Sequence, residues 1–299
     1  MEIILTGSSG FVGRNLLNYL SKSLFSVQEI SLRSSEWKNN FKGDAIIHLA
    51  GKAHDTKNTS DASEYFKVNT DLTTELFDAF LESDIKDFIY FSSVKAVADE
   101  VIDTLHEDII SSPKTPYGQS KLKAEEYILS KEIPTGKRVF IIRPCMIHGP
   151  GNKGNLNLLY NVVNKGIPYP LAAFENQRSF LGIDNLNYLI KEILEIREIN
   201  SGVYNFADDE FLSTNELVQI ISSVSKKKSL LIAIPKGIIN GIARIGDFIK
   251  FPLNSETVQK MTENYRVSNQ KIKTAIGVEK LPNSAQQGLE KTIKSFTSK

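Results

Sequence analysis

Two short stretches of the chain carry side chains that could move a proton and a hydride together. Tyr117 and Lys121 stand four positions apart in Tyr117-Gly-Gln-Ser-Lys121, so on a helix they share one face. A tyrosine with a pKa of about 10 is a poor base at neutral pH. A neighbouring ammonium favours the phenolate and lowers that pKa. The pair can then pass a proton while a hydride leaves or arrives on the adjacent carbon. Upstream, Ser92-Ser93 closes the apolar run Phe88-Ile89-Tyr90-Phe91. A serine there can hydrogen-bond the reacting oxygen. Both features have plainer readings, a surface helix and a turn cap.

The third stretch is Thr6-Gly7-Ser8-Ser9-Gly10-Phe11-Val12-Gly13. It follows the apolar run Ile3-Ile4-Leu5 and precedes a helical pattern. Gly7 permits a tight turn, Gly10 lets backbone approach a pyrophosphate at a helix N-terminus, and Gly13 allows close helix–strand packing. A glycine triplet alone is weak, but strand before and helix after is the context that gives it meaning.

The elements that must position these residues are legible as runs. Glu2–Thr6, Val27–Leu32, Ala45–Leu49, Phe88–Phe91 and Arg138–Ile142 read as strands. Phe11–Lys22, Ser63–Leu81 and Tyr117–Leu129 read as helices between them. Apolar strands alternating with helices predict an α/β fold with a doubly wound parallel sheet. After Pro150, helices are expected over 155–165, 185–196 and 214–224, with an extended piece at 179–183 and a strand at 203–206. Ser213 and Glu216 have capping-box spacing. This divides the chain into a dinucleotide domain over 1–155, with 179–207 returning to it, and a smaller, mainly helical lobe over 156–178 and 208–299.

Composition bounds the function. The 299 residues hold 41% hydrophobic and 24% charged side chains, as a globular protein does. Lys+Arg 36 against Asp+Glu 35 gives +1, so no global field recruits nucleic acid. The lone Cys145 excludes an internal disulfide and any cysteine-built zinc site. His48 reads as structural. His106 and His148 lack ligand-spaced partners, so no metal is expected. His54 and Asp55 could edge a ligand site or lie in solvent. No leader is read at Met1-Glu2, and no run is long enough to span a bilayer. A cytoplasmic protein is expected. Ile238, Ile242, Ile245 and Ile249 form an apolar stripe at helical spacing. It is expected to pack inside the lobe, with a bilayer or membrane-bound partner as the sharper alternative.

Taken in order, the glycine turn, His48-Leu49-Ala50-Gly51, Ser92-Ser93, Tyr117-x-x-x-Lys121 and Arg143-Pro144 resemble an extended short-chain dehydrogenase/reductase of the NAD-dependent epimerase/dehydratase family. The resemblance implies a Rossmann domain and a C-terminal lobe that binds a nucleotide diphosphate sugar. It makes Tyr117 the general acid/base, Lys121 its partner on the nicotinamide ribose, and Ser93 (or Ser92) the residue holding the substrate oxygen. It places NAD or NADP along Gly7, Ser9, Gly10, Phe11, Val12, Gly13, Leu49, Ala50, Gly51 and Pro144. Asn155 and Arg178 become contacts to the sugar's diphosphate region. A homodimer is usual in such proteins.

Three departures narrow the expectation. Members that use NAD usually carry an acid at the end of the second strand; here Ser31-Leu32-Arg33-Ser34 stands there, which suits the 2′-phosphate of NADP. Trp37 either covers the adenine or packs the sheet edge. Dehydratases place Asp-Glu after the serine, whereas Val94-Lys95 stands here, so a 4,6-dehydratase is not expected. Ala96-Val97-Ala98 resembles a bacterial subgroup of polysaccharide-sugar 4-epimerases and 4-ketoreductases. The expected reaction is therefore hydride transfer at the 4-position of a UDP-sugar, first as 4-keto reduction and second as UDP-hexose 4-epimerisation. A dinucleotide-sensing regulator without chemistry is the third reading, opposed by the retained Tyr-Lys pair.

Overall fold

In a computed structural model, which describes residues 1–52, 61–152, 154–228, 230–249 and 254–297, the first strands are β1 (Glu2–Thr6), β2 (Ser26–Ile30), β3 (Ala45–His48) and β4 (Asp87–Phe91). They are followed by β5 (Thr104–Leu105), β6 (Arg138–Pro144), β7 (Met146–His148), β8 (Arg178–Gly182), β9 (Gly202–Phe206), β10 (Phe211–Leu212) and β11 (Arg266–Val267). The main sheet runs β2-β1-β3-β4-β6-β9, parallel throughout. The inner strands β1, β3, β4 and β6 are short apolar runs because both faces are covered.

Alternate residues go to opposite faces. Ile3, Leu5, Ala45, Ile47, Ile89, Phe140 and Ile142 join one core. Ile4, Ile46, Phe88, Tyr90, Val139 and Ile141 join the other. The helices that close them are α1 (Phe11–Leu20), α2 (Ala62–Phe66), α3 (Leu72–Glu82), α4 (Pro116–Leu129), α5 (Asn155–Asn164) and α6 (Ile183–Glu195). Leu16 and Leu20 of α1 and Leu186 and Ile190 of α6 cover the first face. Leu76, Phe77 and Phe80 of α3 and Ile128 of α4 cover the second. This is the α/β doubly wound parallel sheet expected from the sequence. Its strand order reverses between β2 and β3, about β1, so the ligand crevice lies beyond the C-terminal ends of β1 and β3.

The expected single helix over 63–81 is interrupted. A wide, π-type turn at Lys67–Asp71 separates α2 from α3. Asn69 and Thr70, carried inward by it, explain the break. Asn69 Oδ1 accepts from Lys52 N at 2.7 Å, and its amide donates to Ser120 Oγ at 3.0 Å. Thr70 donates to the Ser120 carbonyl at 2.8 Å. The extra residue lets this segment grip α4 (π-turns often mark functional sites).

The last helices are α7 (Thr214–Ser225), α8 (Lys236–Ile249), α9 (Ser255–Thr262), α10 (Gln270–Ile276) and α11 (Ala285–Thr297). Residues of α5, α7, α8, α9 and α11 form a third core around Tyr160, Val218, Ile221, Ile239 and Leu289. The capping box is present: Ser213 Oγ accepts from Glu216 N at 3.1 Å, and Glu216 Oε2 accepts from Ser213 N at 2.7 Å. The expected extended piece over 179–183 is β8, and the short strands β5, β7, β10 and β11, not expected from the sequence, join it in stitching this lobe to the sheet. β10-β8-β7 forms one small sheet and β11-β5 another. Among the described residues, no helix is long and apolar enough to cross a membrane.

Candidate active site

β1 ends at Thr6 and the chain turns at once through Gly7, whose φ of +70° favours glycine. A Cβ there would meet Ala50 N at 2.6 Å, so the turn is pressed against the loop after β3. A Cβ on Gly13 would lie 2.3 Å from the Gly7 carbonyl, so α1 starts directly on the turn. Gly10 is the N-cap and offers no side chain. The N–H groups of Phe11, Val12 and Gly13 therefore point out of an uncapped helix start, the geometry that takes a phosphate. Ser9 closes the turn and accepts from Arg14 Nη1 through its carbonyl at 2.5 Å. Leu49, Ala50 and Gly51 run alongside. A dinucleotide pyrophosphate fits here because the helix start has no side-chain cap, which leaves its first N–H groups for an anion.

Register places the turn after β2 next to the turn after β1, since Thr6 pairs with Ile30. Arg33 sits in that adjacent turn. It is exposed, and its guanidinium has no partner among the described residues. Trp37 is buried, packs edge-on to Phe41 at 5.3 Å and joins the core with Ile30 and Leu32. It packs the sheet edge and is not free to cover a base.

Tyr117, Lys121 and Ser93 converge beyond β4. Thr115 caps α4 by accepting from Gly118 N at 3.2 Å, with Pro116 in the first turn. Gly118 is required because a Cβ would stand 2.3 Å from the Lys95 carbonyl. That close approach sets Tyr117 against the end of β4. The Tyr117 hydroxyl is near enough to Ser93 for that serine to lower its pKa. Tyr65 meets the Tyr117 ring edge-on at 6.2 Å. One turn along α4, the Lys121 ammonium donates to the Phe91 carbonyl at 2.8 Å and lies 4.9 Å from the Tyr90 ring. A Cβ on Gly51 would approach it to 3.2 Å, so the loop after β3 passes over Lys121.

The two serines separate cleanly. Ser93 Oγ faces Tyr117 and accepts from Lys95 N at 3.2 Å. Ser92 Oγ instead donates to the Glu125 carboxylate. Glu125 is in turn held by Arg143, with Nη2 to Oε2 at 2.5 Å and Nε to both oxygens at 3.1 Å. Sequence reasoning missed Glu125, although it shares the α4 face of Lys121 at helical spacing. It also missed Asn69, Thr115 and Gly118.

Burial sets the electrostatics. It raises the Tyr117 phenol above its ordinary value, and Ser93 offsets part of this. The sequence led us to expect a lowered value; here desolvation outweighs the lowering by Ser93. Burial lowers the Lys121 ammonium to about 8, with Glu125 opposing. His48 is pushed down to about 3 by burial and then by Lys121. It is structural, bonded to Thr6 Oγ1 at 2.7 Å and Thr73 Oγ1 at 2.9 Å. Cys145 is buried. No metal-holding cluster of His, Cys, Asp or Glu occurs among the described residues. His54 and Asp55 lie outside them.

Lys121 makes stability pH-dependent in a defined window. Its ammonium is penalised in the fold, so above about pH 8 the folded chain has shed a proton that the unfolded chain keeps. Stability from this source rises with pH until the unfolded lysine also titrates. Denaturant titrations of the wild type and Lys121→Met should therefore converge or cross in favour of wild type between about pH 8 and 10, by at most about 1.4 kcal/mol per pH unit. Parallel pH profiles would count against it.

The lobe reaches the site through β11. Tyr265 donates to the Ala98 carbonyl at 2.7 Å and the Val94 carbonyl at 3.2 Å. The Lys95 ammonium sits 4.2 Å over its ring. Arg178 opens β8, donates to the Lys260 carbonyl at 2.8 Å and lies 3.9 Å from Glu263. Asn155 is exposed in the first turn of α5. Pro144 is buried at the end of β6, in line with Ser92-Ser93 after β4.

An uncapped helix start after a glycine turn, with a buried tyrosine near a serine, is an arrangement that can set a dinucleotide against a hydroxyl. Residues 3–206 match the NAD dependent epimerase/dehydratase family, and the chain belongs to it. The cofactor of that family is NAD or NADP. The chain is 30% identical to the UDP-glucose 4-epimerase of Vibrio cholerae, over 99% of this chain and 95% of that protein. It is 27% identical to the N-acetyl-alpha-D-glucosaminyl-diphospho-ditrans,octacis-undecaprenol 4-epimerase of Escherichia coli O157:H7, over 98% and 94%. Its fold is similar to that of RMD from Pseudomonas aeruginosa, solved with NADPH, with a TM-score of 0.76 at 22% identity over 100% and 99% of the two chains.

Proposed function

We propose that the protein is an NADPH-dependent reductase of a 4-keto sugar carried on UDP, acting in the cytoplasm on the way to a surface polysaccharide. The observation that carries this reading is Arg33. An exposed guanidinium, unpaired among the described residues, stands in the turn beside the glycine cradle, where it can hold a 2′-phosphate by charge-assisted hydrogen bonds. When bound, NADPH supplies a hydride to the 4-keto carbon. Tyr117 gives its hydroxyl proton to the carbonyl oxygen, so the ketone becomes an alcohol. Ser93 holds that oxygen, and Lys121 fixes the ribose and stabilises the phenolate left on Tyr117, which solvent reprotonates. The raised Tyr117 value suits this direction, because the residue starts protonated. Arg178 and Asn155 are assigned to the diphosphate, and the reading includes a homodimer.

The second reading is a 4-epimerase with a retained NAD, favoured by the full-length likeness to two 4-epimerases. Denaturing freshly purified protein and identifying the released nucleotide separates the two. An empty protein that consumes NADPH in step with a UDP-4-keto sugar supports reduction. Near-stoichiometric NAD, with UDP-hexose interconverted and no net oxidation, supports epimerisation.

Arg33→Asp is the sharper test of cofactor choice. Losing a charged hydrogen bond of about 1.5–3 kcal/mol corresponds to roughly ten- to hundredfold. The ratio of kcat/KM for NADPH over NADH should fall by that factor. An unchanged ratio removes Arg33 from the site.

A further inference from the structure

The isoleucine stripe does not pack inside the lobe as expected. α8 buries a narrow face of Ile239, Ala243 and Gly246 against the third core. Ile238, Ile242, Ile245 and Phe248 point outward and are 55%, 41%, 61% and 88% exposed. At 100° per residue these four span an arc of about 120°. A Cβ on Gly237 or Gly241 would meet nothing, so no other element covers that side among the described residues. The side chain of Ile249 lies outside those described. The segment leading into α8 adds Leu230 and Ile232, 58% and 42% exposed. Single exposed apolar residues are ordinary, but a contiguous face of this kind marks an interaction surface.

Charge says what the partner is. Residues 226–250 contain six basic residues and one acidic residue, in a chain whose formal net charge is only +1. Lys226, Lys227 and Lys228 are exposed just before the apolar segment, and Arg244 flanks Phe248 on the helix wheel. The one acid, Asp247, is turned to Ser255, bonding its N–H at 2.9 Å and its hydroxyl at 2.7 Å. A short helix with one apolar face and a cationic margin matches an anionic bilayer surface.

We infer that α8 seats the protein on an anionic membrane surface, its isoleucine and phenylalanine side chains in the interface and its lysines on the headgroups. The helix lies in the surface and does not cross it. The inference is independent of the direction of hydride transfer.

The test is flotation of the full chain with vesicles of phosphatidylcholine alone, or with about one-third phosphatidylglycerol. The variants are I238S/I245S/F248S and K226E/K227E/K228E, whose exposed positions leave the cores intact. Wild type should float with the anionic vesicles and be released by about 0.5 M salt. Each variant should lower the bound fraction at least about tenfold, with thermal unfolding unchanged. Wild type that stays unbound at both compositions overturns the inference, as does binding that survives the serine substitutions. If light scattering instead shows self-association that the serine variant abolishes, without vesicle binding, the occupant is a second copy of the chain and the membrane seat is wrong.

Discussion

Tyr117→Phe is expected to lower kcat by about 10²–10⁴ while leaving the protein folded, because a positioned general acid contributes that much. The substitution keeps the ring, and with it the edge-on contact to Tyr65. It removes only the hydroxyl, whose pKa Ser93 lowers. A net hydrogen bond is worth about 1 kcal/mol, so thermal unfolding should move little. Cofactor binding should be nearly unchanged, because the glycine cradle is untouched. The wild-type pH profile carries the same assignment. Burial holds the Tyr117 phenol above its ordinary range, so a reductive rate that needs the protonated form should not fall with pH until that range is passed. A detected turnover undiminished in the phenylalanine variant would remove Tyr117 from the chemistry, and Lys121 with it.

How much of this site the sequence discloses depends on the length over which each feature is written. The sheet was legible because runs such as Ile3-Ile4-Leu5 and Phe88–Phe91 are apolar on both faces. The glycine turn was legible because its flanks announce strand and helix. Ser92 and Ser93 could not be told apart. They leave β4 with opposite orientations, and only the fold puts Glu125 before one and Tyr117 before the other. The π-type turn was invisible, since its cause lies in Lys52 and Ser120, 17 and 51 positions from Asn69. β5, β10 and β11, of two residues each, are too short for any periodicity. The stripe on α8 was misread for another reason. Amphipathicity shows that two faces differ, but the face turned inward here is the one with Ala243 and Gly246.

Glu125→Ala should be the most destabilising single change near the site, by about 3–5 kcal/mol. Glu125 is fully buried and Arg143 is 5% exposed. Three short contacts from the guanidinium and one from Ser92 converge on a single carboxylate. These contacts join α4, which carries Tyr117 and Lys121, to the ends of β4 and β6. Alanine leaves the arginine charge buried with, among the described residues, only the Glu107 carbonyl, at 3.4 Å, as a remaining hydrogen-bond partner. For a chain of this size the loss corresponds to a fall in Tm of roughly 10 °C. The pair itself need not be a net stabiliser, because desolvating two ions offsets most of their attraction. The double variant Glu125→Leu with Arg143→Met should therefore regain most of the loss, leaving about 1 kcal/mol for the unpaired Ser92 hydroxyl. Denaturant unfolding of Glu125→Leu alone, Arg143→Met alone and the double variant closes the cycle. A double variant no more stable than Glu125→Ala would show that the ion pair holds α4 to the sheet by its own attraction, and that the buried charge left behind is not the source of the cost.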